Sequence, residues 1–171
     1  MADTVQKFDV YDNKGNKVVD SQASPVGITG LSPNTTYKGY QATYAGKSDK
    51  IQFPDFTTLD VVSKAPTLAV NPGDGKVDVT LTAGTNSGSA VTDYKVYYTD
   101  GKTPLTMDLK DSLTGTITGL TNGTQYTFQA VAINGAGEST KSDSVTSTPV
   151  APKPTVGSVK TTATTATVPL N

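Results

Sequence analysis

The sequence predicts an all-β protein, and three observations lead to this prediction. The 171 residues include 30 Thr, 16 Gly and 10 Pro but a single Glu, so residues that favour strands and turns outnumber those that favour helices. Apolar residues alternate with polar ones in short runs, as half-buried strands require. Turn sequences such as Asp100-Gly101 separate these runs. A net charge of -1 combined with this alternation favours a folded chain over a disordered one.

The composition excludes several functional classes, because the chain has no Cys, His, Trp or Arg. Without Cys and His we expect no disulfide framework, no zinc, haem or iron–sulfur site of the usual kind, and no Cys/His or Ser/His catalytic pair. The 14 basic residues, all Lys, are balanced by 15 acidic ones, so no basic field favours nucleic acid as a partner. No leader pattern and no run of about 18 apolar residues is present, so we expect no membrane partner.

The sequence repeats itself with a period of roughly 88 residues, as tandem domains do. Residues 28–31 (Ile-Thr-Gly-Leu) followed by Tyr37 recur as residues 117–120 followed by Tyr126. Two further matches pair Phe8-Asp9-Val10 with Tyr94-Lys95-Val96, and pair Ala166, Val168 and Leu170 with Val77, Val79 and Leu81. The repeat therefore predicts one complete domain at residues 63–149 between two partial copies.

The complete copy breaks into seven short strands bounded by turn signals. Inward faces are predicted from alternation with polar residues: Val77, Val79 and Leu81 on one strand, Tyr94, Val96 and Tyr98 on the next, and Tyr126, Phe128, Ala130 and Ala132 on a third. Turns at Gly73–Gly75, Asp100-Gly101 and 134–137 separate these strands. This pattern is typical of a β-sandwich.

The complete copy resembles a fibronectin type III domain. Residues 119–126 (Gly-Leu-Thr-Asn-Gly-Thr-Gln-Tyr) are similar to the family's corner between its fifth and sixth strands, and residues 91–98 to its third strand. The resemblance implies that Tyr126, and Tyr37 in the first copy, are tyrosine-corner residues whose hydroxyls return to backbone. The family usually carries a buried Trp where this chain has Leu81, so we expect a smaller core. The implied fold is a tandem of Ig-like fibronectin type III β-sandwiches forming an elongated rod.

The flanking copies are complementary fragments. Residues 1–62 resemble the same family but start at its third strand, whereas residues 150–171 hold sequence for only the first two strands of a third repeat. One hypothesis is strand exchange, in which the C-terminal pair of one molecule completes the open first domain of the next and gives a homo-oligomer. The alternative is a shortened sandwich of about five strands with its own closed core.

Motifs for catalysis and metal binding fail on spacing. Gly101-Lys102-Thr103 lacks the Gly that a phosphate-binding loop needs five positions earlier, where Val96 stands. The segment 12–16 (Asp-Asn-Lys-Gly-Asn) is better explained as a hairpin turn than as a calcium loop, because Lys and Val follow at the ligand positions. The carboxylates considered for acid–base chemistry lie mostly at turns: Asp9, Asp12, Asp74, Asp78, Asp93, Asp100, Asp108 and Asp111. We expect no enzyme, no cofactor and no metal site.

Surface aromatic residues are the best candidates for contact with a ligand. Tyr97 is expected to face outward, opposite to Tyr94, Val96 and Tyr98, and could stack on a sugar ring. Tyr40 and Tyr44 are predicted to share one strand face, which is either a ligand-contact face or buried packing. Both interpretations stay open for this pair.

The function indicated is a non-enzymatic structural or adhesion module. Residues 30–40 resemble Ig-like modules of bacteriophages, and a chain without a leader fits assembly in the host cytoplasm. We therefore expect an accessory virion protein, such as a head or tail decoration, fibre or neck component. Its expected partners are capsid or tail proteins and, by weak contact, host cell-surface carbohydrate. The alternative is an extracellular or cell-surface location, as a spacer or carbohydrate-binding region of a polysaccharide-degrading enzyme or adhesin.

Overall fold

The computed structural model describes residues 5–157, 159–161 and 166–167, and every regular element in these ranges is a β-strand. The strands pair antiparallel, which confirms the predicted all-β class. None of the described residues form a helix that could cross a membrane.

Contacts divide the chain into two compact units. Unit 1 comprises Met1–Ser63, Asn86–Ala90 and Asn134–Gly137, and unit 2 comprises Lys64–Thr85, Val91–Ile133 and Glu138–Asn171. The predicted domain boundaries at 1–62, 63–149 and 150–171 remain a prediction.

The described residues of unit 1 form six strands. They are β1 (Lys7–Tyr11), β2 (Lys17–Ala23), β3 (Thr36–Tyr37), β4 (Gln41–Tyr44), β5 (Ile51–Gln52) and β6 (Phe56–Thr57). Four of them form a sheet in the order β2-β1-β4-β5, and β3 pairs with β6. The core is small and consists of Val10, Val19 and Tyr40, with partly buried side chains around them. Unit 1 therefore has one well-formed sheet but few apolar side chains that are fully buried.

The β1–β2 hairpin closes through Asp12. Its Oδ1 accepts the backbone N–H groups of Lys14 at 2.9 Å and Asn16 at 2.8 Å. Gly15 has a φ of 85°, a conformation that an L side chain rarely adopts. The carboxylate thus stabilises the turn. The side-chain amide of Asn16, which donates to Oδ2 at 2.9 Å, lowers the pKa of Asp12 most, and the two backbone bonds lower it further.

Unit 2 is built from two facing sheets. Its strands up to Ser147 are β7 (Thr67–Gly73), β8 (Lys76–Thr82), β9 (Asp93–Thr99), β10 (Leu105–Lys110), β11 (Thr114–Thr118), β12 (Tyr126–Asn134), β13 (Gly137–Glu138) and β14 (Val145–Ser147). β12 and β13 each extend by one residue into a range of unit 1. One sheet has the order β10-β9-β12-β13, with β14 also paired to β12, and the other has the order β11-β8-β7.

The core of unit 2 lies between these sheets. Val77, Val79 and Leu81 of β8 are buried in one cluster with the inward residues of β9 and β12. Among the latter, Val96, Phe128 and Ala130 are completely buried, and the Phe128 ring stacks on Tyr98 with centroids 6.0 Å apart. Leu81, for which the resemblance implied a Trp, is buried in the same cluster. The alternation in the sequence therefore corresponds to the faces that meet in the core.

The C-terminal segment contains β15 (Lys160–Thr161) and β16 (Ala166–Thr167), which pair antiparallel with each other. Val168 and Leu170, on which the predicted third repeat partly depends, lie outside the described residues.

Truncation of Phe128 tests the core of unit 2. We expect Phe128→Ala to lower the free energy of unfolding of unit 2 by about 3–5 kcal/mol, because it removes a fully buried ring and leaves a cavity. Urea unfolding, followed by NMR signals of β9 and β12, measures this loss. Leu105→Ala is the control, since Leu105 is largely exposed, and it should cost much less. Equal losses in the two variants would contradict the assignment of the core.

Candidate functional site

The inner face of the unit 1 sheet carries an apolar row that runs across three strands. Val10 of β1 lies opposite Ala42 of β4, and Ala42 lies opposite Ile51 of β5. Residues directly opposite one another in a ladder point to the same side of a sheet. Because Val10 is buried in the core, Ala42 and Ile51 face the core side as well.

A second row extends this face beyond the core. Phe8 lies opposite Tyr44, and their ring centroids are 5.4 Å apart. Although it points to the core side, Tyr44 is 55% exposed, and Ile51 is 76% exposed. We call the surface formed by Phe8, Ala42, Tyr44, Ile51 and Phe53 the open face.

The open face is concave. A groove of about 600 Å³ is lined by Phe8, Ala42, Thr43, Tyr44, Lys47, Ser48, Asp49, Ile51 and Phe53. A second groove of about 320 Å³ shares three of these residues and continues to Ser24, Val26 and Ile28. Exposed apolar side chains in a concave surface with a polar rim are typical of an interaction site.

Unit 2 shows what normally covers such a face. Its ladder places Ala130 opposite Val96 and Ala132 opposite Tyr94, just as unit 1 places Ala42 opposite Val10 and Tyr44 opposite Phe8. All four positions in unit 2 are buried, in one cluster with the side chains of β8. Unit 1 has no counterpart of β8 among its described residues. The open face is therefore a sandwich interior without its covering strand.

Tyr40 and Tyr44, predicted to share one strand face, have different environments. Tyr40 precedes β4, is only 8% exposed, and packs edge-on against Tyr37 and Phe56 with centroids 5.8 and 5.5 Å away. Its proposed role in surface ligand contact is therefore wrong, and its burial raises the pKa of the phenol. For Tyr44 the alternative of buried packing is wrong, since the side chain lies on the open face.

Tyr97 lies on β9 of unit 2 and is half-buried. Its hydroxyl donates to the Glu138 carboxylate, with both oxygens 3.2 Å away. The ammonium of Lys141 lies 4.5 Å from the centre of its ring, a cation–π geometry. Desolvation and the adjacent Glu138 charge both raise the pKa of Tyr97. Tyr97 thus combines an aromatic surface with two charged neighbours.

The tyrosines implied to form corners make equivalent hydrogen bonds in the two units. The hydroxyl of Tyr126 accepts the backbone N–H of Thr121 at 3.2 Å, and that of Tyr37 accepts the N–H of Ser32 at 2.7 Å. Each bond spans five residues and ties the strand to the turn that precedes it. Both residues stabilise the fold and do not form part of the open face.

A buried carboxylate on the other side of the unit 1 sheet was not predicted. Asp9 is 1% exposed, and its Oδ1 accepts the N–H of Ser21 at 2.8 Å while Oδ2 accepts the ammonium of Lys17 at 3.0 Å. These bonds lower the pKa of Asp9 to about 2, the Ser21 bond having the largest effect, and raise that of Lys17. In the sequence Asp9 is recognisable only as a polar residue in an alternating run, because Lys17 and Ser21 come close to it only when β1 and β2 pair.

Asp93 and Asp108, two carboxylates that are 15 residues apart in the sequence, lie next to each other in unit 2. Burial, and then the neighbouring Asp108, raise the pKa of Asp93. Lys110 holds the pKa of Asp108 at about 2. Opposite shifts are what two adjacent carboxyls produce when only one ionises readily. The described residues contain no group of three or more His, Cys, Asp or Glu side chains suited to hold a metal ion.

Two comparisons with known proteins, a family model and the alignment with rat CD45, agree with the β-sandwich architecture. Residues 64–148 match the sequence model of the family described as "Fibronectin type III domain". A search of curated proteins finds no match. The extracellular region of rat CD45, domains d3-d4, aligns with a TM-score of 0.58 at 14% identity, covering 76% of this chain and 74% of that one. The third fibronectin III domain of human KIAA0343 protein aligns with a TM-score of 0.48 at 21% identity, covering 57% of this chain and 91% of that one.

We call Asp9 and its partners Lys17 and Ser21 the Asp9 cluster. Because of this cluster, we expect the stability of unit 1 to fall in acid. Because the folded pKa of about 2 lies below the ordinary value of 3.8, ionised Asp9 stabilises the fold above pH ~4. That contribution is lost as the pH falls through about 2. Asp9→Asn should destabilise unit 1 at neutral pH and flatten its stability between pH ~4 and ~2, as measured by hydrogen exchange of β1 and β4.

The control for this experiment is Asp55→Asn. Asp55 is exposed, and its ion pair with Lys38 is long at 3.9 Å, so the substitution should leave the pH profile unchanged. An Asp9→Asn variant with the wild-type acid profile would show that the cluster does not couple proton binding to folding.

Proposed function

We propose that this chain, which carries a fibronectin type III domain at residues 64–148, is a non-enzymatic structural and adhesion module of a virion. The fibronectin type III fold is typically non-catalytic. The observation that carries the proposal is the open face of unit 1, where Tyr44 and Ile51 expose apolar surface on the core side of a sheet. Surface of this kind is stabilised by contact with another protein segment.

Within this class we propose an accessory role as a head or tail decoration, a fibre or a neck component. Its support is the resemblance of residues 30–40 to Ig-like modules of bacteriophages. Capsid or tail proteins are the proposed partners, and the virion is the proposed location. Many copies on one particle would convert weak individual contacts into strong attachment.

Weak contact with host-cell carbohydrate is the second part of the proposal, and Tyr97 supports it. A half-buried ring beside the carboxylate of Glu138 and the ammonium of Lys141 offers a stacking surface together with groups that hydrogen-bond to sugar hydroxyls. Tyr44 is the weaker candidate, because its exposed surface belongs to the apolar groove.

The virion role is tested by labelling particles. Gold-tagged antibodies against residues 64–148 should bind purified virions released from cells that encode the chain, at regular positions on the head, neck or tail. An antibody against an unrelated cytoplasmic protein is the control. Label found only on free protein or on the cell envelope would overturn the virion role and favour a cell-surface location.

The carbohydrate contact is tested by NMR titration of the chain with purified host cell-wall polysaccharide. We expect small shift changes around Tyr97 with a dissociation constant in the millimolar range, equivalent to about 4 kcal/mol. Tyr97→Ala should abolish them, whereas Tyr44→Ala, an equally large truncation elsewhere, should leave them intact. No shift at saturating polysaccharide, or loss with Tyr44→Ala alone, would contradict the assignment to Tyr97.

A further inference from the structure

We propose that the open face of unit 1 binds a β-strand from the C-terminal segment of a second copy of this chain, with Ala166, Val168 and Leu170 pointing inward. This inference rests on the proposed function, because it names the partner of the same face. Unit 2 of the same chain shows the arrangement of a completed sandwich.

In unit 2, β11 pairs with β8, in a ladder that places Ile117 opposite Val77 and Thr118 opposite Lys76. The repeat in the sequence makes residues 25–29 of unit 1 the counterpart of β11, with Ile28 at the position of Ile117. Residues 25–29 belong to no strand. The segment is thus in place but lacks the partner that would extend it into a sheet.

In unit 2, β8 lies beside β11 in the sheet that faces the β9–β12 sheet. The side chains of Val77, Val79 and Leu81 are buried between the two sheets, in one cluster with residues of β9 and β12. In unit 1 the groove of about 320 Å³ lies at the corresponding place, with Val26 and Ile28 on one side and Val10 and Ala42 on the other. The larger groove of about 600 Å³ continues it towards Tyr44. The two grooves mark the path of a missing strand.

The C-terminal segment repeats the apolar pattern of β8. Ala166, Val168 and Leu170 reproduce the spacing of Val77, Val79 and Leu81, the residues that fill this space in unit 2. Val156 and Val159, upstream of the same segment, are largely exposed. The segment therefore offers the alternating apolar side chains that the open face leaves uncovered.

The register of unit 2 predicts which residues meet. Ile117 opposite Val77 becomes Ile28 opposite Ala166, and Thr118 opposite Lys76 becomes Thr29 opposite Thr165. Inward positions alternate with outward ones, so a slip of one residue would turn Val168 and Leu170 to solvent. Pro169, which lacks an N–H, takes the outward position of Thr80. The proposal therefore fixes one register.

The first test is the mass of the full chain by light scattering at increasing concentration. The weight-average mass should grow from that of the 17.7 kDa monomer towards multimers. Leu170→Asp should keep the chain monomeric, because it places a charge in the groove, whereas Thr167→Asp, on the outward side, should still assemble. Monomers of wild type at all concentrations, or assembly unaffected by Leu170→Asp, would overturn the proposal.

The second test determines the register by disulfide cross-linking between introduced Cys residues. It is possible because the chain has no native Cys. A Thr29→Cys variant is mixed under mild oxidation with a Thr165→Cys variant that carries a mass tag. Directly opposite residues in a ladder lie close enough for a disulfide. The mixed dimer should therefore form in high yield, whereas pairing Thr29→Cys with Ala166→Cys, one residue out of register, should give little.

The cross-linking results distinguish binding of the segment from a second copy from binding of the molecule's own segment. In a chain that carries both substitutions, an internal cross-link without any cross-linked dimer would show that the segment closes on its own molecule, and would overturn the role of a second copy. Equal yields in and out of register would indicate random collision and would also overturn it. Since neither test involves virions, strand exchange and the virion role can fail independently.

Discussion

The fold depends on one packing constraint, namely that the apolar side of a β-sheet must be covered by a second layer. In unit 2 this cover is β8, whose Val77, Val79 and Leu81 bury the inward residues of β9 and β12. The effect is large, because burying one aliphatic side chain contributes about 1.5–3 kcal/mol. The described residues of unit 1 repeat the covered sheet without a covering strand. From this difference follow the small core of unit 1, its two grooves and the exposure of Tyr44.

Much of unit 2 could be predicted from the sequence, because alternation alone identifies its buried faces. Phe128 lies between Thr127 and Gln129, Val96 lies two residues from Tyr94 and Tyr98, and both Phe128 and Val96 are completely buried. The turn sequences set the strand ends to within a few residues. The corner residue Tyr126 follows from a local motif, since its hydroxyl bonds to Thr121 only five residues away. Local pattern suffices where the interacting groups are close in sequence.

Unit 1 was less predictable, because burial there depends on a covering strand that its described residues do not supply. Tyr40 and Tyr44 have the same spacing that two inward residues would have, yet one is buried and the other exposed. Alternation predicts on which face of the sheet a side chain lies, but not whether a second layer packs against that face. The Asp9 cluster was missed for a related reason, since Lys17 and Ser21 reach the carboxylate only after the hairpin has formed. The proximity of Asp93 and Asp108 likewise depends on the irregular register between β9 and β10.

The separation of the open face from the segment that would cover it has a consequence for symmetry. The face lies within residues 8–53, whereas the matching apolar triplet lies at residues 166–170. A contact between two different parts of the same chain is heterologous, so it does not create a two-fold axis, and each added copy leaves one face and one strand unused. Such a contact closes only if its rotation completes a ring, and otherwise it gives a filament with distinct ends. A filament of this kind would point in one direction, and its length would be set by whatever blocks the terminal face.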